Sequence, residues 1–336
     1  MNEGSAARDE QRLAFTRRHL GADAPVPERA SSDAGFRSYW RTRAPDGTSC
    51  ILMDAPPDRE NVHPWLALRA LLETGGVRVP CILAQDAENG WLLLEDLGPD
   101  NLLAAINEGN ADVWMARAIE QLVRLQRIAP PAGMAHFDEA LVRRDLGLFR
   151  DWFLVRHLGL ALSQVERDLL ESVTDLLLAL FTASPQVLVH RDFIVRNLMP
   201  LEGEVAVLDF QDAVRGPLAY DAASLFRDAF RSWPQHRVDD WLRRYREAAL
   251  AAGLPLSEPA SFERQVDLCG IQRHLKILGI FARLRHRDAK PHYLDDAPRF
   301  LAYLVHALPR HPELAGLHDL LRTRVFPRIA PMELAP

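Results

Sequence analysis

The sequence predicts an α+β chain of two lobes, a small β-rich N-lobe over residues 1–97 and a larger, mostly helical C-lobe over 98–336. Three observations predict it. A length of 336 residues exceeds what one small core fills and suggests two bodies. The first hundred or so residues hold paired aromatic and β-branched stretches around strong turn signals. After Gly98 apolar residues recur at helical spacing, with a single β interruption over Gln186–Asp212.

Each element has its own warrant. Ala7–Gly21 reads as a short amphipathic helix ended by glycine. "FRSYWRTRAPDGTSCILMDAPP" reads as a β-hairpin turning at Asp46-Gly47 and ended by Pro56-Pro57. "NVHPWLALRALLETGG" places its apolar residues on one helical stripe and stops at Gly75-Gly76. "VRVPCILAQDAENGWLLLEDLG" is a second strand pair turning near Asn89-Gly90, and the lobes divide in the loop "EDLGPDN". Helices follow over Asp112–Arg127, Leu141–His157, Ser163–Ala183, Val238–Ala252, Ser261–Arg285 and Ala297–Leu308. Two short strands, "QVLVH" and "EVAVLDF", flank the polar stretch between them.

Composition narrows the function. Hydrophobic residues make up 48 % and charged residues 26 %, values of a soluble globular chain. A net charge of −6 argues against a general nucleic-acid binder. Cys50, Cys81 and Cys269 are odd in number and lack metal spacing, so they read as reduced thiols of a cytoplasmic protein. No signal-peptide core or membrane-length apolar run is present, and no obligate protein partner is evident.

The informative stretch is "VLVHRDFIVRNLMP", Val187–Pro200. A buried strand ends at His190-Arg191-Asp192, where a loop can present side chains to a cleft. "NLMP" then turns back through Glu202-Gly203 into "EVAVLDF", a hairpin that brings Asn197 and Asp209 together with Asp192 nearby. An amide oxygen and a carboxylate are hard donors suited to Mg2+. The remaining carboxylate can accept a proton from an attacking hydroxyl. These roles are those of phosphoryl transfer, and His190-Arg191-Asp192-x-x-x-x-Asn197 carries the kinase catalytic-loop spacing. Asp209-Phe210 follows as the metal-binding pair, with Gln211 where protein kinases have glycine.

On these motifs the chain resembles the aminoglycoside phosphotransferase and choline kinase family, small-molecule kinases with a protein-kinase-like two-lobe fold. The resemblance spans nearly the whole chain. Within the family, "LDFQDAVRGPLAYDAASLFRD" and "IQRHLKILGIFARLRHRD" are most similar to the bacterial branch acting on cell-wall amino sugars. That branch phosphorylates the anomeric hydroxyl of N-acetylmuramate and N-acetylglucosamine in peptidoglycan recycling. The resemblance implies Asp192 as base or orienter of the acceptor hydroxyl, and Asn197 and Asp209 on Mg2+ with the ATP phosphates. It implies structural roles for His190 and for Asp221, which would buttress the catalytic loop. Adenine would meet the hinge backbone near Glu95–Leu97, and Ser32, Gly35 and Arg37 fall where the phosphate-covering loop should be. A small-molecule sugar acceptor would be walled by the C-lobe helices, with Arg273 and Arg196 the candidates to read an acidic substituent.

One departure stands out. The second arm of the first hairpin should carry a lysine that pairs the phosphates, and Met53 occupies that place. Lys276 and Lys290 are the only lysines in the chain. Arg37, Arg41 and Arg43 are the candidates to meet phosphate charge instead. Similarity to the amino-sugar branch accommodates the departure. Two other readings stand beside it: a kinase for a different acceptor (aminoglycoside, choline or homoserine), and an inactive nucleotide-binding pseudokinase.

Overall fold

A computed structural model describes residues 3–32 and 36–329. The chain packs as two compact units, Met1–Ala105 with Leu198–Gln211, and Ile106–Asn197 with Asp212–Pro336. The linear division drawn at 97/98 therefore differs from the packing in two respects: the first break comes after Ala105, and residues 198–211 group with the first unit.

The first unit opens with α1 (Glu3–Leu20), β1 (Glu28–Ser32), β2 (Ser38–Arg43) and β3 (Ser49–Asp54). It continues through α2 (His63–Thr74), β4 (Ile82–Asp86), β5 (Trp91–Glu95) and α3 (Leu102–Ala105). The strands make one antiparallel sheet in the order β1-β2-β3-β5-β4. The Asp46-Gly47 turn forms as expected, Gly47 at φ +88° and the Asp46 carboxylate accepting the Thr48 N–H at 2.9 Å. Gly90 has a stricter reason: at φ +72°, an added Cβ would lie 1.8 Å from the Ala55 carbonyl oxygen. Strand β1 was not legible, because "ERASS" has no alternation and becomes a strand only by pairing with β2.

Burial in the sheet follows the two-residue period. Cys50, Leu52, Trp91 and Leu93 join Phe15 of α1 in one apolar cluster. Met53, Leu92 and Leu94 are buried on the alternate positions. Asp54 at the end of β3 takes Arg8 at 2.8 Å and Arg12 at 3.2 Å from α1, which fixes the helix on this sheet.

The second unit begins with α4 (Ala111–Arg127) and α5 (Glu139–Leu148). After α5 the chain keeps turning as a wider π-helix over Phe149–His157, then forms α6 (Gln164–Ala183) and β6 (Gln186–Val189). Ser163 and Glu166 cap α6 reciprocally, a capping box. The hairpin β7 (Leu198–Pro200) and β8 (Val205–Val207) belongs to the first unit, where the Val207 N–H donates to the Arg78 carbonyl at 2.7 Å. Back in the second unit come β9 (Val214–Pro217), α7 (Ala219–Phe226), α8 (Gln235–Ala251), α9 (Pro259–Asp288), α10 (Ala297–Ala307) and α11 (Ala315–Leu320). The turn at Glu202-Gly203 is as read from sequence, but β6 pairs with β9, a strand the sequence reading omitted. "VRGP" contains both a glycine and a proline, which hide a strand from a composition test.

Helix α9 is the spine of the second unit. It is buried from Val266 through Gly279 and packs on α5, the π-helical stretch, α7 and α10. The approach is closest at Gly279, where an added Cβ would lie 2.3 Å from the Leu148 carbonyl carbon. Among the described residues no helix is long and apolar enough to cross a membrane.

Candidate active site

The loop after β6 is built by its own backbone. Arg191 adopts φ +75°, a left-handed conformation that non-glycine residues rarely hold without outside support. That support comes from Asp221 in the first turn of α7. Its two carboxylate oxygens accept the His190 N–H at 2.6 Å and the Arg191 N–H at 3.0 Å. Asp221 is wholly buried, and burial pushes its carboxyl up to about 6 against the pull of His190 and the two N–H groups. His190, also buried, accepts the Asp192 N–H at Nδ1 at 3.3 Å. Both residues read as structural supports thus sit under the loop.

The side chains above them are ordered by α9. Arg273 Nη1 donates to the Arg191 carbonyl at 2.6 Å and to Asp192 Oδ1 at 3.0 Å. Arg273 is 1 % exposed, while the Asp192 side chain is 41 % exposed. Burial raises the Asp192 carboxyl, but Lys276 and Arg273 outweigh it and hold the group down to about 2. Asp192 is therefore a carboxylate throughout the neutral range. The Asn197 Nδ2 donates to the Asp192 carbonyl at 2.9 Å, which fixes which end of that amide is nitrogen.

Asp228 was missed by sequence reasoning. It lies just past α7, is wholly buried, and accepts N–H groups from Val195 at 2.9 Å, Phe230 at 2.7 Å and Arg231 at 3.2 Å. Burial pushes its carboxyl up to about 6 while these N–H groups pull it down. A signal existed: a carboxylate after a helix C-terminus opposes the helix dipole, so its presence implies a separate task. Here the task is to hold the second half of the loop after β6.

Two residues were expected to read the acceptor, and their surroundings are these. Arg273 is engaged by the loop, as described. Arg196 is exposed, with its guanidinium 5.1 Å over the Phe230 ring. Asp209 is carried by the first unit. It is exposed, at φ +60°, and accepts Gln211 Nε2 at 2.5 Å. Phe210 beside it packs on Trp65 of α2, ring centroids 5.2 Å apart, which anchors this turn to the first unit.

The expected nucleotide contacts that the structure describes are in the first unit. Gly35 lies outside the described residues. Ser32 pairs with Ser38 at the end of β1. Arg37 is buried, its Nε 3.6 Å from Glu60. Arg41 is held by Asp96, at 2.6 and 3.1 Å, and by the Gly98 carbonyl. Glu95 binds Arg78 through its carboxylate and accepts the Cys81 N–H at 3.1 Å, and its own N–H donates to the Cys81 carbonyl at 2.9 Å. Leu97 is half-buried. Met53 is wholly buried, opposite Tyr39 and Leu92, so a thioether and not a cation fills the place of the absent lysine.

Comparison with known proteins bears on this geometry. The chain is 49 % identical over 293 residues to a Pseudomonas putida protein named N-acetylmuramate/N-acetylglucosamine kinase, covering 87 % of this chain and 86 % of the relative. A Neisseria meningitidis protein of the same name is 43 % identical, over 87 % of this chain and 88 % of its own. The fold is similar to that of a Plasmodium vivax ethanolamine kinase, with TM-score 0.63, 15 % identity and coverage of 90 % and 89 %. It is also similar to the ADP-bound aminoglycoside phosphotransferase APH(2'')-Ib, with TM-score 0.60, 12 % identity and coverage of 88 % and 97 %. The α+β fold is thus the protein-kinase-like fold of these enzymes. Residues 27–262 match the model of the phosphotransferase enzyme family, and the chain, with its Asp192 loop inside that span, belongs to this family.

Proposed function

We propose that this chain is an ATP-dependent kinase that transfers the γ-phosphoryl group to the anomeric hydroxyl of N-acetylmuramate and N-acetylglucosamine. The observation that carries it is the Asp192 carboxylate, partly exposed, held ionised by Lys276 and Arg273 and bonded by Arg273 at the head of the loop. Identities of 43–49 % to proteins named for these sugars support the choice of acceptor.

In this reading Asp192 accepts a hydrogen bond from the anomeric hydroxyl and turns its oxygen toward the γ-phosphorus. The new P–O bond forms as the bond to ADP breaks, and the hydroxyl proton passes late, along its hydrogen bond, to Asp192 and from there to solvent. A carboxylate near 2 is too weak a base to take that proton early, so Asp192 orients more than it deprotonates. A loose phosphoryl-transfer transition state asks for little else.

Asn197 and Asp209 would hold a magnesium ion. The donor chemistry fits: one amide oxygen and one carboxylate suit an ion that also takes phosphate oxygens and water. No cluster of three or more His, Cys, Asp or Glu that could hold a metal occurs among the described residues, so a dedicated all-protein cage is not the alternative. Bound there, the ion would offset charge on the ATP phosphates. Ser32, Gly35 and Arg37 remain the proposed phosphate cover, and the backbone near Glu95 and Leu97 the proposed adenine contact. Use of ATP on recycled cell-wall sugars would place the reaction in the cytoplasm.

The test is ADP release with Mg-ATP across N-acetylmuramate, N-acetylglucosamine, glucose, choline, homoserine and kanamycin. Activity confined to the two N-acetyl sugars, lowered about 1,000-fold in Asp192→Asn, is the expected result. Activity on another acceptor would keep the mechanism and replace the substrate. Silence with nucleotide still bound would favour a pseudokinase.

A further inference from the structure

The second unit holds a row of polar groups that the mechanism above does not fully engage. Helix α9 carries Arg273, Lys276 and Arg283, three and then seven residues apart, a spacing that sets them along one face. Arg273 closes one end of the row on Asp192 at 3.0 Å. Lys276 is 5 % exposed, yet it forms no hydrogen bond, and no ion pair within 4.0 Å, with a described residue. Arg283 is half-buried, and its Nε has no partner among the described residues.

Helix α5 brings Asp145 to the same row. Asp145 is 1 % exposed; one carboxylate oxygen lies 3.4 Å from Arg144 and the other has no hydrogen-bond partner among the described residues. Gln272, one turn before Lys276, is wholly buried with neither amide atom bonded. The Lys276 ammonium feels the carboxylates of Asp192 and Asp145, and Arg283 feels those of Asp288 and, more weakly, Asp145, against the cations Arg287 and Arg144. Buried polar groups without partners carry a desolvation cost that a polar ligand can remove. Arg273 matches Asp192 and Arg144 lies against Asp145, while Lys276 has no ion pair within 4.0 Å among the described residues, so a negative charge can be taken beside Lys276.

We infer that Lys276, backed by Arg283, binds the carboxylate of an acid-bearing amino-sugar acceptor, with Asp145 and Gln272 taking hydroxyl and amide groups of the same ligand. This rests on the sugar-kinase reading above. Along α9, Lys276 stands about 4.5 Å beyond Arg273 and Arg283 about 15 Å beyond it. A sugar whose anomeric hydroxyl meets Asp192 thus extends its acidic substituent toward Lys276. The row makes Lys276 a specificity determinant: it serves N-acetylmuramate, which bears a carboxylate, and is not needed by N-acetylglucosamine, which bears none.

The experiment is steady-state kinetics of the full chain on both sugars, comparing wild type with Lys276→Met and Arg283→Gln. For Lys276→Met both sugars can share a loss through Asp192, but the ratio of kcat/KM for N-acetylmuramate to that for N-acetylglucosamine should fall about tenfold. For Arg283→Gln the same ratio should move about threefold. An equal loss on both sugars would overturn the inference, because it would leave Lys276 no role beyond its effect on Asp192 or the transferred phosphoryl group. If Lys276→Met fails to fold, an unchanged ratio in Arg283→Gln overturns it. Wild type inert on both sugars would overturn the kinase reading and this inference with it; wild type active on both, with no ratio change in either variant, overturns the inference alone.

Discussion

Arg273 reaches from the middle of α9 to Asp192 Oδ1 at 3.0 Å and to the Arg191 carbonyl at 2.6 Å. One buried guanidinium thus supports a left-handed backbone residue and orients the carboxylate beside it. Replacing it with methionine keeps the volume and removes both bonds. Turnover should fall about 100-fold through misplacement of Asp192, with nucleotide affinity little changed. Single-turnover kinetics beside a nucleotide-binding titration checks this, and an unchanged rate would show that the loop holds itself.

Asp228 should behave as a second anchor. Asp228→Ala leaves the Val195, Phe230 and Arg231 N–H groups without their acceptor. A loss of about 3 kcal/mol in unfolding free energy is expected. Denaturant melts measure it, and a cost under about 1 kcal/mol would mean that water replaces the carboxylate.

The legibility of these two anchors differs for a physical reason. Asp192, Asn197 and Asp209 are spaced along a contiguous stretch, so their order alone exposes them. Asp221 was legible only through the family resemblance. Asp228, Lys276 and Asp145 acquire meaning from helices that meet in space, and one-dimensional periodicity carries no record of which helices meet. Arg273 was legible as a basic residue near the site, but its partner was not, because the same apolar stripe fits either a guanidinium facing a ligand or one facing the loop. Turns fared best: Gly47 and Gly90 have left-handed φ values that the sequence announces.

Asp96 offers a pH test in the first unit. Burial raises its carboxyl, but Arg41, Ser49 and the Gly98 N–H outweigh this, and the group lies below its ordinary 3.8. A carboxyl depressed by folding contributes stability above its unfolded value and loses it as pH falls through the folded one. Asp96→Asn should therefore melt below wild type at pH 7, and the gap should close under acid, below the ordinary carboxylate range. A gap independent of pH would assign the effect to packing.

Gly279 tests the packing of α9. Alanine in a helix interior ordinarily stabilises by up to about 1 kcal/mol relative to glycine. Here its Cβ would lie 2.3 Å from the Leu148 carbonyl carbon. Gly279→Ala should lower the melting temperature by several degrees, the reverse of the intrinsic preference. A rise would mean that α5 yields easily at its π-helical junction.

The thioether of Met53 has a practical consequence for chemical probes. Reagents that acylate amines find no lysine before Lys276. The first unit does offer sulfur, since Cys81 is exposed. Partial burial and Glu95 hold that thiol up, so only a reactive electrophile would capture it at neutral pH. A covalent label for the first unit is therefore better built for a thiol than for an amine.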